Sequence, residues 1–182
     1  MIVRKGRISG IYILEPRVFK DPRGYFFESY NKRVFEREIG KVNWVQDNES
    51  ASVKNVFRGF HYQLPPYAQA KLVRVTKGKV LDLALDIRPG SPTFGQVESL
   101  VLSEENKLQF FIPHGFAHGY LVLSETAVFN YKCDNYYVPE AEGGVRYDDN
   151  ALGISWPTPL SDMIVSEKDK KLSNLRDHKP FR

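Results

Sequence analysis

Four side chains in this sequence can change charge near neutral pH: His61, His114, His118 and His178. His178 lies in the charged run RDHK at residues 176–179 and reads as solvated surface. His61 sits among aromatics in VFRGFHYQ, residues 56–63. It is either a core histidine satisfied by a backbone partner or a base in a cavity. Arg58 precedes it by an odd spacing, so strict strand alternation places the two on opposite faces. A bulge at Gly59 would re-aim one of them, and both would then point into one cavity. Lys71 opens the apolar run of residues 71–75. It reads either as a snorkelling surface lysine or as a cation that stabilises an oxyanion. Tyr131 shares a strand face with Ala127, Phe129 and Cys133, which buries its hydroxyl. There it is a hydrogen-bonded structural group or a proton donor.

His118 closes Pro-x-Gly-x-x-His in IPHGFAHG, residues 112–119. That spacing resembles the second metal motif of the cupin superfamily, with His118 in the ligand place. A metal site would add a His-x-His pair and a Glu from an earlier strand. Here the matching region offers only His61 and, two residues on, Gln63. Transition metals generally take two or three His plus a carboxylate, so no metal is expected.

These groups need strands to hold them. Residues 71–75 and 80–87 read as two arms of a hairpin turning at Gly78. In the second arm Leu81, Leu83, Leu85 and Ile87 share one face, and Val80, Asp82, Ala84 and Asp86 the other. Further strands are expected at 95–102, 108–112, 117–123 and 127–131. A short helix is expected at 31–40, with Asn31 as N-cap, Phe35 and Ile39 on one face and Gly40 closing it. A second, capped at Ser166, is expected over 166–175 with Leu172 and Leu175 inward. Many antiparallel strands and few helices predict a mainly β protein, a jelly roll or barrel.

The chain has 182 residues, 42% of them hydrophobic, with no repeat or linker, which suits one domain over residues 1–182. Twelve Phe and ten Tyr fit a strand-rich core. One cysteine, Cys133, excludes an intrachain disulfide framework and suits a reducing compartment. The first ten residues lack a signal-peptide core, and no run nears a membrane span, so a cytoplasmic protein without membrane association is expected. The net charge of +4 comes without a Lys/Arg block. It favours an anionic small molecule over nucleic acid.

Eight collinear motifs carry a wider resemblance. They are DPRGYFFE (21–28), QDN (46–48), FRGFHYQ (57–63), AQAKLVRV (68–75), SPTFG (91–95), IPHGFAHG (112–119), YKC (131–133) and SEKD (166–169). Together they resemble the dTDP-4-dehydrorhamnose 3,5-epimerase family over roughly residues 10–175. The resemblance implies a double-stranded β-helix of the cupin type, a jelly-roll barrel with a few short helices. It implies a homodimer needing no metal or cofactor, which converts dTDP-4-dehydro-6-deoxy-D-glucose to dTDP-4-dehydro-L-rhamnose. It makes His61 the base, Tyr131 the acid, Asp169 the carboxylate behind His61 and Lys71 the enolate stabiliser. Arg58, His118, Glu142 and Lys168 would contact the sugar or diphosphate, and Gln46, Asp47 and Asn48 the nucleotide. Arg23 and Glu28 would reach that end from the partner through an exchanged N-terminal segment. The nearest rival is a relative that inverts one carbon only, or isomerises the ketone. A metal-dependent cupin oxygenase and a non-catalytic sugar-binding jelly roll stand further off.

Overall fold

Strand-forming runs dominate the computed structural model, which describes residues 1–182. In chain order the strands are β1 (Ile2–Lys5), β2 (Tyr12–Glu15), β3 (Phe19–Asp21), β4 (Gly24–Phe26), β5 (Gln46–Val53), β6 (Val56–Gln63) and β7 (Lys71–Lys77). They continue as β8 (Lys79–Asp86), β9 (Val97–Ser103), β10 (Gln109–Ile112), β11 (Phe116–Val122), β12 (Thr126–Cys133), β13 (Glu142–Gly144) and β14 (Ile164–Val165). Only two α-helical segments occur, α1 (Lys32–Glu38) and α2 (Glu167–Lys170).

Two large sheets face each other as a jelly roll. One has the order β1-β2-β10-β7-β12-β5, and the other β13-β6-β11-β8-β9 with β14 parallel to β6. Alternation sorts the side chains. Val73, Val75, Val80, Ala84, Phe110 and Phe129 fill the space between the sheets. Phe57, Phe60, Leu83, Leu85 and Leu121 pack instead on the outer side of the second sheet. Each fully buried Phe of these layers contributes about 1.5–3 kcal/mol. The first sheet's outer face is covered by α1 through Phe35, with Leu14, Leu72 and Phe111. Asn31 caps α1 by accepting from the Val34 N–H (3.2 Å), and Gly40 follows the helix at φ +133°.

The 71–87 stretch does form two strands, but they do not pair, which corrects the expected hairpin. β7 bonds to β10 and β12, and β8 to β11 and β9. Gly78 is the corner where the chain passes from one sheet to the other. Its φ is +76°, and a Cβ there would lie 2.1 Å from the Thr126 carbonyl oxygen, so only glycine fits. The C-terminal helix is also shorter than expected. Ser166 does cap it, its Oγ accepting from the Asp169 N–H (3.1 Å), but the helix is one turn long. Ser173 bridges to Val145 and its carbonyl accepts from the Arg146 N–H, which draws the chain out of helical geometry. Leu175 is buried as expected, and Leu172 only partly. No helix is long and apolar enough to cross a membrane.

Candidate active site

The site begins with the irregularity in β6. Opposite β11, His61 pairs with His118 and Arg58 with Tyr120, so Gly59 and Phe60 stand against the single residue Gly119. This is the bulge that the odd Arg58–His61 spacing requires. Gly59 has φ +136°, and a Cβ on it would fall 2.4 Å from the Gly119 Cα. Glycine there lets the two strands close while Phe57 and Phe60 remain in the outer core. Arg58 and His61 both reach a cavity of about 510 Å³ between the sheets, shared with Lys71, His118, Tyr131 and Asp169.

His61 Nε2 is 2.7 Å from Asp169 Oδ1, and Asp169 Oδ2 accepts from the Gly59 N–H at 3.4 Å. Burial pushes the Asp169 carboxyl up, but the hydrogen bond from His61, its charge and the Gly59 and Ser166 contacts outweigh that and hold it low. Asp169 therefore stays an anion behind the imidazole. On the opposite wall, β12 turns Tyr131 inward together with Ala127 and Phe129. Burial above all pushes its hydroxyl up to about 12, so at neutral pH it carries its proton. Lys71, at the start of β7, is lowered from the ordinary lysine range by burial, partly opposed by Asp82 and Glu142.

A second histidine–carboxylate pair lies deeper. His118 Nε2 is 3.0 and 3.1 Å from the two oxygens of Asp82, and both side chains are buried. Burial pushes His118 down and Asp82 up, toward their neutral forms. Asp82 was not among the residues the sequence reading put in the site. Its signal was an acid on the inward face of β8, between Val80 and Ala84. Tyr120, whose hydroxyl meets Ser50 Oγ at 2.8 Å, lines the same cavity and was also missed.

An adjoining hollow of about 330 Å³ shares His61, Lys71 and Tyr131 and adds Gln46, Asn48 and Glu142. Glu142 Oε2 accepts from Lys168 Nζ (2.6 Å) and from the Tyr137 hydroxyl (2.8 Å). Tyr137 is a further lining residue without a sequence signal beyond its aromatic type. Three expected residues are not brought into these spaces by the chain itself. Asp47 lies on the face of β5 opposite Gln46 and Asn48, where it pairs with Lys132 at 2.9 Å and borders a neighbouring hollow with Asn48, Tyr131 and Lys132. Arg23 pairs with Asp21 at 2.6 Å in the β3–β4 hairpin, its side chain 90% exposed. Glu28 borders a separate surface hollow with Arg17 and Phe19. No group of three His, Cys, Asp or Glu side chains is arranged to hold a metal ion.

A jelly roll with a histidine–carboxylate pair facing a protonated tyrosine, beside a half-buried lysine, defines an acid–base enzyme of the cupin-like class. The sequence comparisons narrow this further. The chain belongs to the dTDP-4-dehydrorhamnose 3,5-epimerase family, whose sequence model matches residues 5–177, and it is thereby an isomerase. It is 57% identical over 158 residues to the dTDP-4-dehydrorhamnose 3,5-epimerase of Salmonella typhimurium, covering 86% of each chain. The crystal structure of the enzyme of that name from Elizabethkingia anophelis superposes with a TM-score of 0.93 at 51% identity, over 97% of each chain. A dTDP-6-deoxy-D-glucose-3,5-epimerase from Legionella pneumophila, solved with dTDP-4-keto-L-rhamnose, gives 0.92 at 46% identity over 96% of this chain and 93% of that one.

Proposed function

We propose that this chain inverts C3 and C5 of dTDP-4-dehydro-6-deoxy-D-glucose to give dTDP-4-dehydro-L-rhamnose, a step of dTDP-L-rhamnose biosynthesis in the cytoplasm. The observation that carries the reading is the placement of His61 and Tyr131 on opposed walls of one cavity. The C4 ketone acidifies the protons on both neighbouring carbons. His61 removes one as general base, and the negative charge of Asp169 stabilises the imidazolium that forms. The electron pair moves onto the C4 oxygen, where Lys71 Nζ meets the developing charge as a hydrogen-bond donor. Tyr131 returns a proton from the other side and the centre is inverted. Protons alone are exchanged, so the reaction needs no oxidant or reductant.

Arg58, His118, Glu142 and Lys168 are assigned to the sugar and diphosphate, and Gln46, Asp47 and Asn48 to the nucleotide. Arg23 and Glu28 complete the nucleotide end from a second copy, in a homodimer that exchanges the β3–β4 hairpin. In favour of that exchange, the hairpin leaves Phe19, Tyr25 and Phe26 at 51%, 57% and 70% exposure. The deciding experiment is turnover in deuterated water followed by proton NMR. Deuterium at both C3 and C5 is expected. Label at one carbon alone overturns the double inversion, and no label at either overturns the epimerase reading.

A further inference from the structure

The segment 134–138 links β12 to the 3-10 turn Pro139–Ala141 and belongs to no strand. Even so, it must place Tyr137, which borders the hollow beside Gln46 and sets its hydroxyl on Glu142. Side chains hold it. Gln63 lies on β6, two residues past His61, and is 3% exposed. Its Nε2 donates to the carbonyls of Tyr67 (2.6 Å) and Tyr136 (3.0 Å), and its Oε1 accepts from the Val138 N–H (2.6 Å). Both amide hydrogens and the oxygen are thus committed to backbone on either side of Tyr137 and to the loop before β7.

A buried carboxamide is costly to desolvate unless fully bonded, and an apolar residue would leave three backbone groups unpaired. The start of the segment has its own anchor. Asp134 accepts from the Ala70 N–H at 2.7 Å and pairs with His114 Nε2 at 2.8 Å. His114 thus has a structural partner well outside the proton-transfer cavity.

We propose that Gln63 is a positioning residue for nucleotide recognition: it holds the 134–138 segment in the one placement that lets Tyr137 close the nucleotide end. This rests on the epimerase reading above. Gln63 takes no part in the proton transfers, so its loss lowers the fraction of chains competent to bind and leaves the chemistry of bound substrate intact. Affinity falls in proportion to that fraction.

The experiment compares Gln63→Leu, of similar size, with wild type by calorimetric titration of dTDP and by steady-state kinetics across pH. The dissociation constant and KM are each expected to rise about tenfold, with kcat and its pH profile within about twofold of wild type. His114→Ala loosens the same segment from its other end, at an exposed position, and is expected to raise KM about threefold at constant kcat. If Gln63→Leu does not fold, His114→Ala decides. Unchanged KM in the folded variants, or a fall in kcat with dTDP affinity kept, overturns the inference. Wild-type protein that fails to bind dTDP sinks the underlying functional reading instead, a result separate from any variant.

Discussion

Replacing Asp169 by Asn exchanges one oxygen for an NH2 group and leaves volume almost unchanged, so it isolates what the carboxylate does. The carboxylate accepts on both sides, from His61 at 2.7 Å and from the Gly59 N–H at 3.4 Å. An amide cannot. With its oxygen toward Gly59, its NH2 meets Nε2 of His61 and forces the imidazole proton onto Nδ1, the nitrogen needed as base. With its oxygen toward His61, the NH2 opposes the Gly59 N–H, and the negative charge that stabilises the imidazolium is gone either way. A positioned general base contributes about a hundred- to ten-thousandfold to rate, so kcat should fall by that range. In barrier height this is about 3–5 kcal/mol. KM should stay within about threefold, because Asp169 lies behind the imidazole. The assay is the initial rate of deuterium incorporation by proton NMR, with dTDP binding and thermal unfolding measured on the same sample. A variant that binds dTDP normally and keeps kcat within about fivefold of wild type would refute the role given to Asp169.

Tyr131→Phe removes the donor that burial keeps protonated, its value pushed up to about 12. Solvent deuterium should still enter the substrate through His61 while inverted product falls at least about a hundredfold, and product at the wild-type rate would contradict the assignment. Asp86 governs stability rather than chemistry. Its buried carboxylate accepts from Arg88 Nη2 and Thr93 Oγ1 (2.6 Å each) and from Ser91 Oγ (2.7 Å). Burial pushes it up, but these bonds bring it down to about 2 from the ordinary 3.8. Since the folded value lies below the unfolded one, the stability it adds, about 2 kcal/mol, is full above pH ~4 and lost as pH falls toward ~2. Asp86→Asn should therefore flatten the acid limb of a urea-unfolding profile between those limits, and an unchanged limb would count against this linkage.

The parts of the site legible in the sequence are those that strand alternation controls. Tyr131 points inward because its strand keeps period two, and the Gly59 bulge follows from an odd spacing with a glycine inside it, whereas residue type alone left Lys71 open to a snorkelling surface role. Alternation also sets Asp47 on the face of β5 opposite Gln46 and Asn48, whereas its place in the nucleotide group comes from motif resemblance alone. Pairing was not legible. A glycine with positive φ suits a hairpin turn and a corner between sheets equally, so residues 71–87 identified two strands without telling which partners each would take. Asp82 and Gln63 escaped for a related reason. An acid or amide on an inward face announces burial, but its partner arrives from another strand or loop. His118 comes to Asp82 from β11, and Tyr136 and Val138 come to Gln63 from the segment after β12. The end of α2 is likewise tertiary, set by Ser173 against Val145 rather than by any local breaker.

Inversion at carbon needs a proton removed from one face and delivered to the other, and a single flexible loop holds two such groups apart poorly. A jelly roll supplies the separation by construction. The proposed base stands on β6 and the proposed acid on β12, strands of different sheets joined rigidly through the same core that Phe110 and Phe129 fill. The lysine, on β7 beside β12, belongs to the acid's wall, since Cys133 and Lys71 are paired in register. A substrate between the sheets would therefore meet the base on one face and the acid with the lysine on the other. The two inversions then differ only in which carbon adjacent to the ketone is presented to the same pair. The requirement on the site is rotation or sliding of the sugar, not a second set of catalytic groups, and the adjoining hollow that shares His61, Lys71 and Tyr131 leaves space for it.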